Sequence, residues 1–103
     1  MKGDAVTKDD AAYQAAVLAL VQQASAAWVA AWRDALARDG RAMEGGWPGT
    51  MAEARGWVQT RVAPALARKG LPFLTTESAA LAARDLYAVA RTAWLSKALA
   101  ERG

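Results

Sequence analysis

The chain has 103 residues, a formal net charge of +3 and a hydrophobic content of 54%, with 28 alanines and five tryptophans. This length fits one small domain, and the hydrophobic content argues against a disordered chain. The absence of histidine and cysteine removes the usual residues of acid–base, thiol and soft-metal sites, and it excludes a disulfide framework.

Alanine, the best helix former, supplies half of the hydrophobic residues. The remaining large hydrophobic residues are few for a monomeric core, so we expect the tryptophans to carry much of the burial and oligomerisation to complete it. Charge is uneven, because residues 1–50 have a net charge of −1 and residues 51–103 one of +4. Abundant alanine, arginine and glycine without isoleucine or asparagine is a bacterial-like composition, typical of a high-GC genome.

A first helix is predicted over about residues 8–39. Thr7 and Asp10 resemble a capping box, and Gly40 supplies a C-terminal stop. Apolar residues recur between them at steps of three and four, which predicts one buried face. That face consists of Tyr13, Val17, Val21, Ala24, Trp28, Trp32 and Ala35.

The stretch 11–32 carries no charge and is long enough to span a bilayer. However, Gln14, Gln22 and Gln23 interrupt it, and its many alanines contribute little transfer energy. Acidic residues also precede it, where a secretory signal needs positive charge. We therefore expect a buried helix of a cytoplasmic protein, with membrane association as the lowest alternative.

The segment 41–49 is predicted to be a loop, because it ends in Gly-Gly-Trp-Pro-Gly. Glycines before a helix N-terminus can bind an anion. Here no Lys-Ser/Thr pair follows them, and Glu53 in the next turn would repel a phosphate. We expect a structural turn that Trp47 anchors in the core.

A second helix is predicted over about residues 51–69. Thr50 and Glu53 form the pattern of a full capping box, and Gly70 closes the helix. Pro64 lies inside and lacks the N–H that would bond to the carbonyl four residues earlier, so we expect a kink or a break there.

A third helix is predicted over about residues 76–102, with Thr75 or Thr76 as its cap. Its apolar residues form three rows: Leu81, Ala88, Leu95 and Leu99; Leu86, Val89 and Ala93; and Tyr87 with Trp94. A helix that is apolar nearly all round is usually central in a bundle or shared between subunits. The predicted fold is a single all-α domain, residues 1–103: a three-helix bundle with a long N-terminal helix and a Pro-kinked second helix, completed by oligomerisation.

Arginines form a stripe on each of the last two helices. On the third helix, Arg84, Arg91 and Arg102 fall within about 20° of one another at 100° per residue, and on the second, Trp57, Arg61 and Arg68 within about 40°. Such stripes could bind a phosphate backbone while an aromatic side chain stacks on a base. The simpler interpretation is that arginine stems cover apolar surface and that Trp57 is core. The candidate surface for a nucleic acid or an acidic partner is Arg55, Trp57, Arg61, Arg68, Arg84, Arg91 and Arg102.

Trp28 and Trp32 lie one turn apart on the same face of the first helix. They are a candidate patch for a protein partner, although aromatic residues at helical spacing more often belong to a core.

Catalysis is not expected. No carboxylates are convincingly paired on a helix face among the candidate acids, Asp34, Asp39, Glu44 and Glu53. The possible nucleophiles have no histidine to activate them: Ser25, Ser78 and Ser96. We expect no cofactor and no metal. The sequence favours a non-enzymatic helical interaction module or a small subunit of a larger, homo-oligomeric assembly, with a basic nucleic-acid-binding accessory protein as the alternative.

Overall fold

The computed structural model describes residues 8–41 and 46–102, and the side chains of residues 11–41 and 46–101. These residues are mostly helical and contain no strand, so the all-α prediction is confirmed. The helices in chain order are α1 (Lys8–Arg38), α2 (Met51–Trp57), α3 (Ala63–Arg68) and α4 (Thr76–Arg102). A π-helical turn over Val58–Val62 joins α2 to α3, and we call residues 51–68 together the middle segment.

Two glycines end helices in the same way. Gly40 and Gly70 have φ angles of 71° and 72°, a left-handed conformation that costs glycine no Cβ clash. After α1, the N–H of Arg41 donates to the carbonyl of Leu36 at 2.7 Å, and after α3 the N–H of Leu71 donates to that of Leu66 at 3.0 Å. Both helices therefore close with a Schellman motif, which satisfies carbonyls that the helix end leaves unpaired.

The middle segment changes helix type just before Pro64, in the stretch where the sequence predicts a kink or a break. One π-helical turn precedes the proline, and within it the N–H of Ala63 donates to the carbonyl of Val58, five residues back. The hydroxyl of Thr60 donates to the carbonyl of Gly56 at 2.9 Å. Proline has no N–H to donate. In the stretch before Pro64, the bond within the π-helical turn and the bond from the Thr60 hydroxyl therefore supply donors to two backbone carbonyls.

The middle segment packs against both α1 and α4, and these two long helices also pack on each other. They run in the same direction, because Tyr13 and Ser78 line one cavity near their beginnings and Arg33 pairs with Glu101 near their ends. The core between them contains large side chains with almost no exposure: Val21, Trp28, Val58, Val62, Leu66, Leu86 and Trp94.

Candidate functional site

Aromatic side chains from α1, the loop, the middle segment and α4 meet in one cluster around Trp28. Its ring centroid lies 4.8 Å from that of Trp47, 6.5 Å from that of Trp57 and 6.2 Å from that of Tyr87. Trp47 also contacts Trp94, with centroids 5.3 Å apart. These edge-on and tilted geometries are the favourable ones for aromatic rings. The cluster connects the loop before α2 to both long helices.

Two tryptophans of α1 share one acceptor. The indole N–H groups of Trp28 and Trp32 each donate to Oε1 of Glu53 at 3.0 Å. The two residues are four positions apart, so both rings project from one side of α1 towards α2. We call this arrangement the Glu53 clamp. It fixes the position of a half-buried carboxylate beside the aromatic cluster.

Only one half of the expected capping box forms at the start of α2. The Thr50 hydroxyl oxygen does accept a hydrogen bond from the backbone N–H of Glu53, at 3.1 Å. In a full capping box, the Glu53 carboxylate would accept a hydrogen bond from the N–H of Thr50. Here it accepts hydrogen bonds from the two tryptophans of α1. Two indole donors held in place by α1 outcompete one backbone donor at the exposed helix end.

Two shallow concavities flank the Glu53 clamp. The first measures about 270 Å³ and is lined by Trp28, Ala31, Trp32, Ala35, Glu53 and Trp57. The second lies on the other side of Trp57, where the Cζ atom of Arg61 stands 5.0 Å from the centroid of the Trp57 ring. That distance is within the range of a cation–π interaction.

The two residues of the predicted patch, Trp28 and Trp32, differ in exposure. Trp28 is only 2% exposed and belongs to the core, so its ring cannot form an open partner surface. Trp32 remains half-buried and contributes one wall of the concavity beside Glu53. Trp57 is also half-buried and carries Arg61 on its ring.

The predicted arginine surface is exposed but distributed over different sides. Arg55 borders a cavity with Thr76 and Ala79 of α4, whereas Arg61 borders the concavity with Glu53 and Trp57. All side chains of the set that the structure describes are exposed: Arg55, Arg61, Arg68, Arg84 and Arg91. The side chain of Arg102 lies outside the described residues. Among the described residues, the ion pair is Arg33 with Glu101, so none of these five arginines is paired there.

One apolar row of α4 lies largely outside the core. We call Leu81, Ala88, Leu95 and Leu99 the outer row. Leu81 is 56% exposed and Leu99 63% exposed, Ala88 is exposed and Leu95 is half-buried. The opposite side of α4 buries Leu86, Ala90 and Trp94 completely. The sequence could not distinguish these faces, because α4 is apolar nearly all round.

The serine hydroxyls that the sequence left as possible nucleophiles serve local backbone structure where their bonds are described. Ser25 is buried and donates to the carbonyl of Gln22 at 2.9 Å. Ser78 exchanges hydrogen bonds with Thr75, which caps α4. Within residues 8–41 and 46–102, no three histidine, cysteine, aspartate or glutamate residues are grouped as metal ligands would be.

α1 is long and apolar enough, over Ala11–Arg38, to cross a membrane by length and composition. About a third of its most apolar window (33%) is buried inside the molecule, and much of the outward side is alanine. The core helix of a soluble protein and a signal sequence near the N-terminus pass the same test.

Comparisons with protein-family models, curated proteins and solved structures found no match to this chain.

Proposed function

We propose that the protein is a non-enzymatic helical interaction module that self-associates through the outer row of α4. One observation carries this proposal: Leu81 and Leu99 are more than half exposed in one apolar row of α4. Fully burying a leucine gains about 1.5–3 kcal/mol, so covering these side chains would be favourable. The three helical parts would then form a three-helix bundle, with a middle segment kinked at Pro64, that a second copy completes.

The spacing of the outer row suits an antiparallel pair of α4 helices. If a two-fold axis passes at Ala88, Leu81 stands level with Leu95 of the second copy, because both lie seven residues from the axis. At about 100° per residue, Arg84 and Arg91 lie on one side of the outer row and Asp85 lies on the other, so Arg84 of one copy comes near Arg91 of the second. This repulsion keeps the dimer weak. The small side chain of Ala88 allows close approach of the two helices at the crossing.

This interface would be small, since one helix face contributes few large side chains. Association also costs at least about 4 kcal/mol of lost translational and rotational freedom. We therefore expect a dimer with a dissociation constant in the micromolar range. In this proposal the protein works in the cytoplasm as an oligomeric subunit without a cofactor.

Sedimentation equilibrium tests the proposal. The wild-type protein should show a concentration-dependent mass between monomer and dimer, and the double substitution Leu81→Gln with Leu99→Gln should give a monomer. Phe73→Gln is the matched control, because Phe73 is 81% exposed but lies in the connector before α4, outside the outer row. A strictly monomeric wild-type protein, or loss of the dimer in the Phe73 variant alone, would contradict the proposal.

Nucleic-acid binding is the second candidate function. The observation that favours it is the exposed guanidinium of Arg61 on the ring of Trp57, which could pair a phosphate contact with base stacking. Filter binding at low salt should then detect single-stranded or duplex nucleic acid, with affinity that falls as salt is raised. Arg61→Gln should weaken this binding. An absence of association at low salt would eliminate this function.

Membrane association through α1 is the lowest alternative, and the length and hydropathy of Ala11–Arg38 support it. It predicts that the protein sediments with lipid vesicles and needs detergent for extraction. Recovery of the whole protein in the detergent-free supernatant would eliminate it.

A further inference from the structure

The concavity beside the Glu53 clamp combines aromatic walls with a fixed negative charge. Its volume is about 270 Å³, and it opens to solvent between α1 and α2. Trp28 forms the buried floor, while Trp32 and Trp57 are half-buried walls. The space that remains is bordered by the methyl groups of Ala31 and Ala35.

The carboxylate of Glu53 forms no ion pair within the described residues. Its hydrogen-bond partners there are the two neutral indole N–H groups, both of which bind Oε1. Arg61 is close in sequence, but it stacks on Trp57 and forms no ion pair with Glu53. The clamp therefore holds a negative charge in place without neutralising it.

Tryptophan attracts cations to its ring face more strongly than the other aromatic residues do. A ring of this same group already carries a cation, since the Cζ atom of Arg61 lies 5.0 Å from the centroid of Trp57. The walls formed by Ala31, Ala35 and the rings offer no hydrogen-bond acceptor to a ligand. A primary ammonium could donate to the Glu53 carboxylate but would leave its other N–H donors against these walls, whereas a quaternary ammonium has no donors to satisfy.

We propose that this concavity binds a small quaternary ammonium group, with the rings of Trp32 and Trp57 against its methyl groups and Glu53 providing the opposite charge. The proposal is independent of self-association, because Glu53 and these tryptophans lie away from the outer row of α4.

Titration with tetramethylammonium chloride, followed through the indole N–H resonances, tests this proposal. The signals of Trp28 and Trp32 should shift saturably in the millimolar range, and neither sodium chloride at equal ionic strength nor neutral tert-butanol should reproduce the shifts. Equal shifts with tert-butanol, or no saturable shift with tetramethylammonium, would overturn the proposal.

Two variants separate binding from folding. Ala31→Leu fills the concavity at an exposed position and should weaken binding at least tenfold, whereas Ala19→Leu, at an exposed alanine of the same helix outside the concavity, should leave it unchanged. Glu53→Gln keeps an oxygen acceptor for the two indoles but removes the charge, so it should also weaken binding about tenfold. If Glu53→Gln unfolds the protein, Ala31→Leu alone tests the proposal. Wild-type affinity in Ala31→Leu would overturn the proposal.

Discussion

Gly49 lies so close to the indole of Trp28 that a Cβ atom at residue 49 would come within 2.5 Å of the ring carbon Cζ2. The same Cβ would stand 2.5 Å from Cζ2 of Trp47. Both rings belong to the aromatic cluster and cannot move without disturbing their neighbours. We predict that Gly49→Ala destabilises the protein by about 1–3 kcal/mol, the usual cost of overpacking a core, as measured by urea unfolding.

Gly56→Ala is the control for this prediction. Gly56 lies within α2, and a Cβ there would meet nothing within 4 Å. Because alanine is a better helix former than glycine by about 1 kcal/mol, this substitution should raise the free energy of unfolding. Equal effects of the two substitutions would show that Gly49 is not held against the rings.

Glu53 stabilises the fold by accepting hydrogen bonds from two side chains of α1. We predict that Glu53→Ala lowers the free energy of unfolding by about 2 kcal/mol, since hydrogen bonds to charged groups contribute about 1.5–3 kcal/mol and this carboxylate is only half-buried. Urea unfolding measures the loss, and the indole resonances of Trp28 and Trp32 should change most.

Glu77→Ala serves as the matched acidic substitution. Glu77 is exposed in the first turn of α4, where it complements the helix dipole. Its loss should cost no more than about 0.5–1 kcal/mol. If Glu53→Ala costs no more than Glu77→Ala, the Glu53 clamp does not stabilise the fold.

Local signals in the sequence predict the helices well but not the contacts between them. Alanine content indicates the all-α class, and Gly40 and Gly70 mark helix ends because each adopts a positive φ that glycine tolerates. The partner of Glu53 could not be predicted, since the capping pattern at Thr50 describes only neighbours in the chain. Its true partners lie 21 and 25 positions away on α1.

The sequence also does not predict which face of α4 is buried in the core. Periodicity identifies a buried face only when the opposite face is polar. In α4, Leu81 and Leu99 are exposed while Leu86 is buried, so leucine itself does not mark the core side. Only packing against the middle segment and α1 distinguishes the buried leucine from the exposed ones.

Charge reversal at Arg84 tests the register of the proposed dimer. An axis at Ala88 brings Arg84 of one copy near Arg91 of the other, on the same side of the outer row. We predict that Arg84→Glu strengthens the dimer in sedimentation equilibrium, because opposite charges then face each other, and that the double variant Arg84→Glu with Arg91→Glu loses this gain. An unchanged or weaker dimer in Arg84→Glu would reject the antiparallel register about Ala88.

The most direct test of self-association through α4 is a disulfide bond between copies. Ala88→Cys introduces one cysteine into a chain that has none. A disulfide needs Cα atoms about 4.4–6.8 Å apart, which two helices crossing at this residue can provide. Under mild oxidation at micromolar concentration, we predict that Ala88→Cys rapidly forms a covalent dimer. Ala100→Cys, at an exposed alanine of α4 outside the outer row, should form little. Equal and slow cross-linking of the two variants would contradict self-association through α4.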